Sequence, residues 1–327
     1  MTTTHVDAET AALLVGDAVT APSMHNAQPW RFVFRRADGV IELHGDRERA
    51  MPRTDPDHRA LHIGCAAALF NLRVSAARYG IGARVEPLPD PAEPWLLARV
   101  LLGGPAGAHE PAALHDVLRR RHTSRHPFSA EPVPTALLDG LKAAARLEGC
   151  RLAVPGSWHL DTVLELVRDA EHREAIDPLA RAETAVWTTA TPSGLERPDG
   201  VPAAAFGPRS SGGPSVVRDF DPAGPVADRG WAVFEKMPQL ALLGTPGDSR
   251  ADWLDAGQAL QRVLLQATAD GLATSMTSQP LEWPELRWTT RDPVRDTGHV
   301  QMVLRLGYGP QGASTPRRPV PDVLRIR

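Results

Sequence analysis

A faint internal echo sets the first limit on how this chain folds. One Ala-rich apolar helix is predicted after Asp55-Pro56-Asp57, with acid at its N-terminus and a stop at Gly80. A second is predicted from Ala251 to Gly271. Ala68-Leu69, Ala76 and Gly80 of the first line up with Ala259-Leu260, Ala267 and Gly271 of the second. Each helix leads on to an apolar strand ending in Leu-Gly, at Leu102-Gly103 and Leu306-Gly307. The period is too long for a solenoid, whose units run about 20–50 residues. Two explanations stand: a duplicated unit fused into one polypeptide, or Ala-rich helices that match by composition alone. The 327 residues are enough for two lobes.

The remaining elements fall around these helices. Asp7 to Val19 reads as a helix with Ala, Leu and Val recurring on one face. Trp30–Phe34 and Ile41–His44 alternate like two strands joined through the turn pair Asp38-Gly39. Strands are predicted near Ala83–Leu88 and Trp95–Leu102, followed by a linker at residues 103–108. Helices are predicted at Ala112–Arg120, Thr135–Leu147 and from Leu160 to about Thr189, with strands at Arg151–Val154 and His299–Leu306. Between Thr191 and Val226 the chain holds seven Pro and six Gly, a density that excludes long regular elements and marks an excursion.

Composition removes whole classes of function. The net charge is -3 with no long run of one sign, so no nucleic-acid or membrane-surface patch is written here. Cys65 and Cys150 stand apart and form no CxxC pair, which excludes zinc ribbons and disulfide frameworks and suits a reducing, cytoplasmic setting. The N-terminal run Ala11–Val15 lacks a basic start and meets Asp17, so it does not read as a signal peptide. No apolar stretch reads as long enough to span a membrane. His58 and His62 have metal-ligand spacing, but Arg59 stands where a zincin needs Glu. Gly-x-Gly-x-x-Gly after a strand, a P-loop lysine and Gly-x-Ser-x-Gly are all missing.

Two stretches carry chemistry. The first is Pro22-Ser23-Met24-His25-Asn26-Ala27-Gln28-Pro29-Trp30-Arg31-Phe32. Ser, Asn and Gln offer donors and acceptors together, which suits the polar edge of a flat heterocycle. The same residues also suit a plain helix exit into a strand. The second is Arg121-His122-Thr123-Ser124-Arg125, followed by Phe128. If extended, it points Arg121, Thr123 and Arg125 the same way. The guanidinium fork binds phosphate in pairs of charge-assisted bonds. A basic helix end offsetting the helix dipole is the alternative.

Together these stretches resemble the two signatures of the FMN-binding nitroreductase family. Pro-Ser-x-x-Asn-x-Gln-Pro-Trp-x-Phe is similar to the loop that contacts the flavin ring across the family's dimer interface. Arg-x-Thr-x-Arg is similar to the segment that grips the flavin phosphate and ring carbonyls. In the ordinary family the Arg segment precedes the loop within one subunit. Here the loop comes first and the Arg segment follows in the second half. Near Val154–Trp158, the expected second loop, Asn-x-Gln-Pro is absent. One complete site and one dismantled site are implied, as in the fused, actinobacterial Acg-type branch.

The resemblance implies an α+β, nitroreductase-like fold of two fused lobes forming a pseudo-dimer, with mixed β-sheets flanked by helices. The lobes are residues 1–106 and 107–327, the second carrying a lid-like Pro/Gly-rich excursion at 191–226. FMN is the implied cofactor. Its implied contacts are Ser23, Asn26 and Gln28 from one side and Arg121, Thr123 and Arg125 from the other. Met276, Thr277 and Ser278 are implied near the ring, and Arg317 or Arg318 near the phosphate. No side-chain acid or base is assigned. The implied activity is an oxidoreductase passing hydride from NAD(P)H through FMN to a small electron-poor acceptor. The alternative is a non-catalytic protein that stores flavin under a lid. A monomer suffices where the dimer is fused, and further dimerisation is left open.

Overall fold

Local signals at the chain ends of each element explain where the secondary structure starts and stops. Helix α1 (Ala8–Ala18) begins where the Asp7 carboxylate accepts from Thr10 N at 2.8 Å, and the chain then passes through a loop to β1 (Trp30–Arg35). β1 and β2 (Val40–Gly45) form the expected antiparallel hairpin, with Gly39 at φ +64° in its turn. Both oxygens of Asp55 accept from the first turn of α2 (Arg59–Arg78), from Ala60 N and Leu61 N at 2.9 Å each. Gly80, at φ +71°, ends it before β3 (Ile81–Pro87) and β4 (Leu96–Pro105). β4 takes up the first three residues of the stretch read as a linker at 103–108, because Pro105 pairs with Ile81.

In the second half α3 (Thr135–Leu147) leads to β5 (Arg151–Ala153). The single long helix predicted next is two, α4 (Ser157–Ile176) and α5 (Pro178–Val186). Pro178 cannot continue the first helix, and Asp177 caps the second through Leu179 N and Ala180 N. The expected helix at 112–120 is a 3-10 helix over Ala112–Val117. Two-residue bridges β6 (Thr188–Thr189) with β7 (Val201–Pro202), and β8 (Arg209–Ser210) with β9 (Trp231–Ala232), are the main regular pairing around the excursion. The computed structural model describes residues 6–107, 111–189, 197–212, 216–221 and 229–327, so the excursion predicted at 191–226 lies partly outside the described residues. β10 (Gln239–Thr245) precedes α6 (Arg250–Ala269), which starts with a Ser249–Asp252 capping box. Then come β11 (Ala273–Thr277), α7 (Pro284–Thr289), β12 (His299–Gly307), α8 (Val320–Val323) and β13 (Leu324–Ile326).

The strands form two sheets with the same order. One runs β1-β2-β4-β3 and the other β5-β10-β12-β11, each antiparallel throughout these four strands. Each has its long helix between the second and third strands in sequence, and a helix ahead of the first. β13 adds to the first sheet alone, parallel to β1, so the C-terminus crosses back to the N-terminal half.

Helices α2 and α6 are both 20 residues long and lie side by side in the same direction. In the register that pairs Arg59 with Arg250, equivalent residues meet each other. The His62 and Trp253 rings are 5.5 Å apart, Ala66 faces Gly257, and Val74 shares a buried cluster with Leu265. A Cβ on Gly257 would lie 2.2 Å from Ile63 O and 2.5 Å from Ala66 Cβ, so the helices touch backbone to backbone there. Ile63 of α2 sits in the core beneath the second sheet, and its equivalent Leu254 of α6 sits in the core of the first. Such reciprocal contact is what an isologous interface produces. By length and composition α2 also matches a membrane span, contrary to the reading that no apolar stretch is that long; 89% of that window is buried inside the fold.

Candidate functional site

The loop between α1 and β1 is held in a conformation that side chains rarely adopt. His25, Asn26 and Gln28 have φ of 48°, 55° and 52°. Left-handed backbone costs a non-glycine residue about 1–2 kcal/mol, so the surroundings must impose it. They do so from inside the loop and from two distant segments. Ser23 Oγ accepts from Gln28 N at 2.8 Å. The Asn26 amide donates to Gly200 O at 2.9 Å and Pro316 O at 3.0 Å, and Gln28 donates to Pro198 O at 2.7 Å. Gln28 Oε1 accepts from Arg318 N at 2.8 Å. The excursion and the C-terminal tail together clamp the loop.

Below this loop lies a pocket. Ser23, Met24 and His25 form one wall, with Ile63 and Gly64 of α2 behind them. A Cβ on Gly64 would stand 3.2 Å from Ser23 Cβ, so a side chain there would push the loop outward. Thr123 and Arg125 form the facing wall. The 121–125 segment is extended, with Thr123 bridging Thr274 of β11 and Ser124 N donating to Thr274 O at 2.8 Å. Ser275, Met276 and Ser278 form the floor. The fourth side is Val217, Arg218 and Phe220 of the excursion. Arg125 donates to Ala205 O at 2.8 Å and lies over the Phe220 ring at 5.0 Å. Burial, with Arg218 nearby, lowers the Arg125 guanidinium to about 10.

Arg121, two residues before Thr123, is buried beside Arg317. Both donate to the carbonyl of Thr20, at 3.4 and 3.1 Å, three residues before Ser23. Arg121 Nε and Nη1 and Arg317 Nε are buried without a partner, and among the described residues neither guanidinium has an ion-pair partner. Burial, and then the charge of Arg317, lowers Arg121 to about 9; burial lowers Arg317 to about 10. Two buried like charges with orphaned N–H groups are costly unless an anion sits between them. The residues present therefore fit a phosphate, and the neighbouring pocket, which both segments line through Ser23, Thr123 and Arg125, offers donors and acceptors to the polar edge of a heterocycle.

Of the residues singled out in the sequence, Ser23, Thr123, Arg125, Met276 and Ser278 come together around the pocket. Arg121 and Arg317 form the buried cationic end. Asn26 and Gln28 hold the loop through backbone groups, and Asn26 Oδ1 also accepts from Arg317 Nη1 at 3.0 Å. Thr277 turns away, donating from Oγ1 to Val216 O at 2.6 Å. Arg318 faces the other way, 3.7 Å from Asp46. The counterpart of the loop is also not near Val154–Trp158, which follows β5. It is the connection from α3 to β5, which is only residues 148–150. Sequence reasoning gave no role to His25, Arg218 or Glu282. His25 sits at a variable position of the loop motif, and Arg218 lies in a segment without periodicity.

A model of the family described as "Nitroreductase family" matches residues 118–308. Rv3131 of Mycobacterium tuberculosis (strain ATCC 25618 / H37Rv), which carries an NAD(P)H nitroreductase name, is 33% identical over 99% of this chain and 93% of its own length. Acg of the same strain, also under an NAD(P)H nitroreductase name, is 29% identical over 95% of this chain and 93% of its own. A Bacteroides fragilis nitroreductase solved with bound FMN aligns at a TM-score of 0.37 and 14% identity, over 63% of this chain and 92% of that one.

Proposed function

The chain belongs to the nitroreductase family, and from that premise we propose that it is an FMN-dependent oxidoreductase built as a fused pseudo-dimer. The observation that carries the reading is the Arg121–Arg317 pair, whose buried, unpartnered N–H groups call for a phosphate. Arg121 and Arg317 would hold that phosphate, and Thr123, Arg125, Ser23 and Ser278 would border the ring. FMN bound there would supply hydride transfer between NAD(P)H and a small electron-poor acceptor. The protein's part is to fix the ring between the loop and the 121–125 segment and to exclude water. Identical strand order and the meeting of equivalent residues along α2 and α6 support the duplication. On this reading the lobes are residues 1–106 and 107–327, with the tail returning to complete the first. Anaerobic mixing of the purified protein with NADPH, followed through the flavin absorbance, tests the activity. Bleaching within a turnover supports it, and an oxidised spectrum after prolonged mixing refutes it.

One observation favours the second reading, a protein that stores flavin. Val217, Arg218 and Phe220 already cover the pocket, and Phe206 stacks behind Phe220 at 5.9 Å. Replacing only residues 216–221 by a shorter Gly/Ser linker, which leaves the Pro198, Gly200 and Ala205 carbonyls in place, distinguishes the two. If covering is what blocks turnover, the shortened protein keeps FMN and is reduced faster than the parent.

A further inference from the structure

The segment that covers the pocket also fixes the protonation state of the one histidine in the loop. Arg218 is buried, with its side chain 7% exposed. Its Nη2 donates to Glu282 Oε1 at 2.5 Å, and Nη1 approaches Glu174 Oε1 at 3.4 Å and His25 Nε2 at 3.2 Å. A guanidinium has only donors, so His25 Nε2 must present a lone pair, leaving the ring neutral with its proton on Nδ1. Phe220 packs its ring edgewise on His25 at 5.5 Å. Covering the pocket and keeping His25 neutral are thus done by the same few residues.

We propose that Arg218 latches residues 216–221 over the pocket, and that withdrawal of this latch and protonation of His25 are one coupled event, so that acid opens the site. The reading of the pocket as the flavin site is the premise for what the latch controls. Once His25 is charged, the rim carries an imidazolium beside Arg125, where a hydride brings negative charge into the pocket.

The sign follows from the groups around Arg218. Burial lowers His25 well below the ordinary imidazole range, and the charges of Arg218 and Arg125 lower it further. On α4, Glu171 is pushed up to about 7, chiefly by burial, with Arg218 opposing and Glu174 and Asp219 reinforcing. Burial also raises Glu282, again against the pull of Arg218. Removing Arg218 takes a positive charge away from His25 and lets water reach the ring, and both changes make it hold a proton more tightly; for Glu171 and Glu282 the lost charge and the regained water oppose each other, so His25 sets the sign. The state that binds more protons gains as pH falls. The closed state is therefore favoured above the ordinary imidazole range and is lost as pH falls through it.

The test uses the protein as purified and the variant Arg218→Gln. Hydrogen exchange of the peptide covering residues 216–221 reads the latch, and a nitrogen-15 NMR titration of the histidines reads His25, assigned by its loss in His25→Gln. In the parent, exchange corrected for intrinsic rate should quicken on acidification. In Arg218→Gln it should be about tenfold faster or more at neutral pH. His25 should titrate higher, towards the ordinary range. Unchanged exchange, or a His25 titration that does not move, overturns the proposal. If circular dichroism shows Arg218→Gln unfolded, Glu282→Gln weakens the same latch, and unchanged exchange there overturns it equally. Flavin content is read separately by absorbance, so a chain without FMN would sink the functional reading and leave these two measurements standing.

Discussion

The places beside Gly64 and beside Asp255 are equivalent on the two long helices and have opposite fates. Beside Gly64, an eleven-residue connection (residues 19–29) arches over the helix and leaves a pocket lined by Ile63 and Leu260. Beside Asp255, the connection is residues 148–150, and the corresponding Leu254 and Leu69 are packed into the first core. Asp255 is exposed where Gly64 is buried under Ser23. The scaffold is kept in both halves while the site is kept in one. The comparison teaches that one arrangement of four strands and a long helix holds a pocket or none according to the length of a single loop and the side chains that fill the space, with strand order untouched.

The largest effect expected bears on the half that keeps the pocket. Arg121→Ala with Arg317→Ala removes charge-assisted bonds worth roughly 1.5–3 kcal/mol each, so FMN affinity should fall about a hundredfold or more. Arg121→Met, which keeps most of the volume and removes one of the two like charges, should melt higher than the parent when both are stripped of flavin. Fluorescence titration and differential scanning calorimetry measure the two halves of this expectation; a lower melting temperature in the stripped variant would mean the pair is stabilising without an anion.

Next comes the seam between the halves. Gly257→Ala places a Cβ against Ile63 O and should cost about 1–3 kcal/mol in a urea titration. A smaller loss is expected for Gly64→Ala, about 1 kcal/mol or less, since Ser23 has only to move by a few tenths of an ångström. Its signature is instead weaker flavin binding through a displaced loop. Should Gly64→Ala prove the more destabilising of the two, the close approach of α2 and α6 is not what holds the halves together.

The smallest effect is expected on the filled side. Asp255→Gly restores the glycine at the equivalent position but neither the long loop nor the space. Gly and Asp differ by only a few tenths of a kcal/mol in helix propensity, so stability should barely change. Flavin released by acid and quantified by chromatography should remain at one per chain in both proteins. A second flavin in Asp255→Gly would show that the glycine alone, rather than loop length and packing, closed that side.

Much of this was legible in the chain itself. Thr135–Leu147 shows its ends because its apolar stripe is narrow and Pro134 precedes it. The two long helices and their Gly stops are where periodicity and punctuation put them. Short strands escaped: β13 has three residues, and its partner β1 is almost the whole chain away. β10 is an uninterrupted apolar run, which periodicity alone does not separate from a buried helix. In the site, residue type announced Arg121 and Arg125, and spacing announced Ser23. Thr277 and Arg318 have the right neighbours, yet a hydrogen bond to Val216 and the proximity of Asp46 turn their side chains elsewhere. Arg218 was invisible because its meaning lies in Glu174, Glu282 and His25, brought to it only by folding.

The return of the tail has a mechanical consequence. Pro316 O and Arg318 N pin Asn26 and Gln28, Arg317 completes the cationic end, and β13 closes the edge beside β1. The loop and its clamp stand 290 residues apart in the chain, so the loop's three left-handed residues are held by a contact that exists only in the folded molecule. Unfastening residues 316–326 would loosen the loop, withdraw Arg317 from Arg121 and bare the β1 edge in one event, which makes this seam a single mechanical fastener for the whole pocket rim.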